Sequence, residues 1–79
     1  MLQVMGPLLV EAASVVADFA LDMLASAHRT GMNLHSADYE KLRLNTVARV
    51  AAAVDAYDII NRTDMRDKYL DRYNEIISS

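Results

Sequence analysis

The sequence has no cysteine, a single proline and only two glycines. Without thiols, neither a disulfide framework nor a cysteine-based zinc site can brace the fold. With glycine confined to positions 6 and 31 there is no phosphate-cradling loop, and Ser14, Ser26, Ser36, Ser78 and Ser79 have no elbow or oxyanion glycines beside them. Basic charge is also scarce. Eight Lys and Arg stand against eleven Asp and Glu, a net charge of −3, so the electropositive footprint of a nucleic-acid binder is missing. A long uninterrupted hydrophobic run is lacking too. Residues 1–27 come closest, but Glu11, Asp18 and Asp22 interrupt them. Each carboxylate at mid-bilayer costs about 2.5–3.5 kcal/mol, and no basic segment precedes the run, so neither a membrane span nor a signal peptide is expected.

What is present is apolar and helix-forming. Ala, Val, Leu and Met dominate an apolar share of 53% over 79 residues, which predicts an all-α fold in a single helical domain, 1–79. A core of this size supplies only about 3–5 kcal/mol of net stability, and without staples the remaining remedies are close helix packing or self-association. The absence of cysteine agrees with a reducing, cytoplasmic location.

Gly6-Pro7 reads as punctuation, with Pro7 at the first position of a helix running to about Arg29. Gly31 suits a left-handed C-terminal cap, and His28 and Arg29 place positive charge in the last turn. Ser36 reads as the N-cap of a second helix, about 37–60, with Asp38 and Glu40 near its start. No Gly or Pro follows Gly31, yet one straight helix to the end is not expected. Tyr39, Leu42, Val50, Ala53, Val54, Tyr57 and Ile60 gather on one side, whereas Met65, Tyr69, Tyr73 and Ile76 are rotated by roughly 130°. The phase step falls at Asn61-Arg62-Thr63-Asp64. There Asn61 can turn left-handed and Thr63 or Asp64 can cap a third helix, about 64–77. A connection this short between the first two helices predicts an antiparallel helical hairpin to which the short third helix is added.

The first helix is unusually greasy. Glu11, Ser14, Asp18, Asp22 and Arg29 fit within a strip about 80° wide, leaving an apolar arc of roughly 240°, more than twice what a surface helix needs. Self-association through Leu9, Val16 and Leu24 is the simplest cover, so a dimeric helical bundle is expected. The second helix carries a 3.5-residue seam of Tyr39, Leu42, Thr46, Val50, Ala53, Tyr57 and Ile60, suited to one continuous partner helix. The third sets Asp64, Asp67, Lys68, Asp71, Arg72 and Glu75 against Met65, Tyr69, Tyr73 and Ile76. Aromatic residues with arginine make interface hot spots, which nominates Arg66, Tyr69, Arg72, Tyr73 and Ile76 as a partner-binding set. The alternative is that these tyrosines close the core.

Few constellations carry chemistry. Asp18 and Asp22 lie one turn apart, but a di-metal bundle needs Glu-x-x-His on facing helices and none occurs, so no metal or other cofactor is expected. Lys41, Arg43, Asn45 and Arg49 form the only basic cluster a DNA-recognition helix could use, diluted by Asp38 and Glu40. Arg29 and His35 bracket five residues, a spacing that resembles the Arg-to-His motif of HEPN ribonucleases. That resemblance implies a helical, often dimeric fold in which the two side chains would stabilise a phosphoryl transition state and move a proton. The principal reading is a non-enzymatic helical interaction module, an inhibitor, adaptor or regulator of the kind phages and plasmids encode, whose partners are itself and a second protein. A DNA-binding regulator and a HEPN-like ribonuclease are the rivals. Nucleic acid and membrane are not the expected partners.

Overall fold

A computed structural model describes residues 2–79, with side chains from Leu8 onward. Among the described residues there are three helices and no strand: α1 (Leu2–Arg29), α2 (Ala37–Ile59) and α3 (Thr63–Ser78). The ends of α2 and α3 fall within a residue or so of the sequence expectation. The start of α1 does not. It begins at Leu2, so Gly6-Pro7 lies inside the helix and does not start it.

Both interhelical turns are built the same way. At the end of α1, Gly31 is left-handed (φ 76°), the Met32 N–H donates to the Ala27 carbonyl (3.0 Å) and the Gly31 N–H to that of His28 (3.4 Å). At the end of α2, Asn61 is left-handed (φ 61°), with the Arg62 N–H donating to Tyr57 (2.9 Å) and the Asn61 N–H to Asp58 (3.1 Å). This paired pattern satisfies the last carbonyls of a helix and needs a residue that tolerates positive φ, as Gly and Asn do. Ser36 caps α2 by accepting from the Tyr39 N–H (3.1 Å), while its own hydroxyl donates to the Asn33 carbonyl (2.8 Å). The cap expected of Thr63 or Asp64 is not made. Arg62 occupies the cap position without a side-chain cap bond, since a guanidinium has no acceptor to offer the free N–H groups of the first turn. Asp64 instead sits in the first turn, held by Arg62 through two 3.1 Å bonds.

Bonds between α1 and α2 pair Ser14 with Tyr57, Ala20 with Thr46 and His28 with Tyr39, so the two helices run in opposite directions. Ala17 and Leu21 of α1, Val50 and Ala53 of α2 and Tyr69 of α3 form the core, with Ala13, Val54, Tyr57, Met65, Tyr73 and Ile76 around it. Small residues at Ala17, Ala20 and Ala53 let the backbones approach closely. Thr46 is fully buried and satisfied, its Oγ1 donating to the Leu42 carbonyl at 2.8 Å. The seam on α2 holds for Tyr39, Thr46, Val50 and Ala53, but ends before Ile60, which is 44% exposed. The molecule is elongated, 45 × 20 × 14 Å, with a radius of gyration of 13.6 Å where a compact domain of this length has about 12 Å. A shape so drawn out leaves helix faces uncovered.

Candidate functional site

The nominated residues on α3 are not a free surface. Tyr69 is 4% exposed. Its ring stacks on Tyr57 with centroids 5.8 Å apart, and its hydroxyl donates to the Ser14 carbonyl at 3.4 Å. Burial, followed by the nearby Asp18 carboxylate, pushes the Tyr69 hydroxyl up to about 12. Tyr73 and Ile76 pack against the same core. Arg66 is held by Asp58 (2.9 Å) and Asp67 (3.1 Å), and Arg72 by Asp18 (2.9 Å) and Asp22 (3.2 Å). Of the set read from sequence as a partner-binding edge, Tyr69 is thus turned inward, while Arg66, Arg72, Tyr73 and Ile76 are half-buried at its border. The amphipathic pattern was the signal for a core face, and the aromatic-plus-Arg composition pointed the wrong way because the arginines serve intramolecular carboxylates.

Arg72 also changes the meaning of the acidic strip on α1. Asp18 and Asp22, one turn apart, grip one guanidinium and so tie α3 to α1. No group that could hold a metal ion occurs among the described residues.

The self-association set divides. Leu9 is 63% and Val16 43% exposed, whereas Leu24 is fully buried between the helices and cannot meet another molecule. At 100° per residue Leu24 lies close to Ala17 and Leu21, on the side of α1 that α2 and α3 cover. The opposite side carries Leu8, Val15, Val16, Phe19 and Met23, all exposed, with Phe19 at 68%. Ala12 is exposed among them. This strip continues onto α2 through two shallow grooves. One is lined by Val16, Phe19, Met23, Asn45 and Arg49, and the other by Leu9, Ala13, Ala52, Ala56 and Ile59. The result is one apolar face spanning two helices, on the side away from α3.

A second, smaller apolar surface was missed in the sequence. Val47 and Ala51 of α2 and Leu70 and Tyr73 of α3 line a groove together with Asp55, and Leu44 and Ile77 are exposed apolar residues of the same two helices; of the nominated binding set, Tyr73 alone reaches it. Leu44, Leu70 and Ile77 fall outside the seams that periodicity picks out, which is the signal they offered.

The rival constellations are dispersed. Arg43 is engaged by Glu40, whose carboxyl it holds below the usual range, and Arg49 borders the α1–α2 groove. Lys41, Arg43 and Arg49 therefore present no common basic face, since they project roughly 160° and 80° apart around α2. Arg29 borders a shallow recess at the end of α1 with His28, Ile76 and Ser79. His35 lies in the exposed connection, its N–H donating to Asn33 Oδ1 at 2.9 Å. His28, and not His35, is the histidine with a structural partner. Its Nε2 lies 2.7 Å from the Tyr39 hydroxyl, and the rings meet edge to face. Burial raises the Tyr39 hydroxyl above its ordinary value, the reverse of what activates a nucleophile.

No helix among the described residues is long and apolar enough to cross a membrane. Compared with protein-family models, with curated proteins and with solved structures, the chain finds no match in any of the three.

Proposed function

We propose that this protein is a small helical interaction module that self-associates through the exposed face of α1 and acts by contact with a second protein, as an inhibitor, adaptor or regulator with no catalysis of its own. One observation carries the reading: Leu8, Val15, Val16, Phe19 and Met23 are large, apolar and exposed together along a single helix. Contiguous apolar surface of this extent on a monomer usually marks an interface, and covering one Leu-sized side chain contributes about 1.5–3 kcal/mol. The dimeric bundle anticipated in the sequence is retained with this face in place of Leu24. For the second protein, the smaller surface of Val47, Leu70 and Ile77, whose groove Tyr73 also lines, takes the place of Tyr69, which is buried. Sedimentation equilibrium over a micromolar concentration series tests the self-association. A mass of two or more chains is expected, and a helical 8.8 kDa particle throughout would remove the basis of the proposal.

A further inference from the structure

Six exposed residues on the bare side of α1 form a symmetric set, with Leu9, also exposed, standing outside it. Leu8, Ala12, Val15, Val16, Phe19 and Met23 are arranged symmetrically about the midpoint between Val15 and Val16. Leu8 and Met23 are equidistant from that point, as are Ala12 and Phe19. From this symmetry, and resting on the self-association proposed above, we infer that two copies of this chain pack α1 against α1 in antiparallel register, with the two-fold axis at Val15 and Val16.

Shape supports antiparallel over parallel. In the antiparallel register Phe19, the most exposed large apolar side chain among the described residues of the helix at 68%, lies level with Ala12 of the second copy, a large residue over a small one. Leu8 lies level with Met23, and Val15 with Val16. A parallel pair would set Phe19 on Phe19 and Ala12 on Ala12, overpacking one level and leaving a void at another. Electrostatics agrees. Antiparallel helices oppose their macrodipoles, whereas a parallel pair gathers both N-termini at one end. Along the rim, Asp18 and Asp22 already carry Arg72, which reduces the repulsion between the acidic strips of the two copies.

The area is of the right size. The chain exposes 5509 Å², about 700 Å² more than the roughly 4,800 Å² of a compact monomer of its mass. A standard interface takes about 800 Å² from each partner. One face-to-face contact of α1 and the adjoining edge of α2 would take an area of this order.

Because the chain has no native thiol, engineered cysteines report the register directly. Val16→Cys sits beside the two-fold axis and is expected to form a covalent dimer under mild oxidation. Leu8→Cys is not, because its mate in the second copy lies about 22 Å away along the axis at 1.5 Å per residue, beyond the roughly 7 Å that a disulfide spans. An equimolar mixture of Leu8→Cys and Met23→Cys is expected to yield the mixed covalent dimer. All three positions are exposed, and circular dichroism on each variant verifies the fold. Leu8→Cys linking to itself would overturn the antiparallel register while leaving self-association intact. So would failure of both Val16→Cys and the mixture to link in a protein of dimeric mass. A wild-type protein that stays monomeric would defeat the self-association and this inference together.

Discussion

Tyr69 shows how one side chain can be read two ways. In the sequence it belongs equally to a binding edge and to a core face, and the neutral choice depends on whether another helix covers it. In the fold it stacks on Tyr57 and reaches the Ser14 backbone, while Tyr57 shares a hydrogen bond with the Ser14 hydroxyl. Tyr69→Ala is therefore expected to lower stability by about 3–5 kcal/mol, as large-to-small changes of buried aromatics do, with loss of helicity visible in urea titration. Tyr69→Phe keeps the stack and should cost about 0.5–1.5 kcal/mol. The raised Tyr69 hydroxyl gives a pH signature as well. A hydroxyl near 12 when folded and near 10 when unfolded keeps its proton longer in the fold. Its contribution is complete below pH 10 and fades as pH rises toward 12. Alkaline titration followed by circular dichroism should show unfolding in that window, displaced upward in Tyr69→Phe. Unchanged alkaline stability in Tyr69→Phe would mean that this hydroxyl is not the titrating group.

At the scale of elements, the helix ends were legible and the surfaces between helices less so. Gly31, Ser36 and Asn61 announced their roles because caps and left-handed turns depend on local chemistry, and each adopts the expected conformation. The break after Ile59 was visible as a phase step, although no glycine or proline marks it. The start expected at Pro7 falls among residues 1–7, whose side chains lie outside the described ones. Arg72 bridging Asp18 and Asp22 was beyond reach, since that ion pair joins residues 50 or more positions apart. These turns are testable. Nothing lies within 4 Å of a Cβ added at Gly31, so Gly31→Ala should cost only the left-handed backbone penalty, about 1–2 kcal/mol. Asn61→Gly should be neutral or slightly stabilising. Thermal melts of the two variants should move in opposite directions or leave Asn61→Gly in place, and a matched loss in both would mean that the Asn61 side chain matters beyond its backbone.

For the whole molecule, the apolar surplus of α1 was legible from composition and phase, whereas its position was not. An arc of roughly 240° says that some side of the helix stays bare. Which side depends on where α2 and α3 settle, and that choice buries Leu24 and exposes Phe19. The contrast between these two residues tests the claim that α1 presents a contact surface and separates it from a role in the fold alone. An aspartate at a buried position costs several kcal/mol in folding, while one on an exposed apolar face costs little in the monomer and much in an interface. The decisive measurement is sedimentation equilibrium, with circular dichroism alongside, on wild type, Phe19→Asp and Leu24→Asp. A dimeric wild type, a helical but monomeric Phe19→Asp and a largely unfolded Leu24→Asp are expected. A Phe19→Asp protein with the same mass as wild type would contradict the assignment of this face as the contact surface.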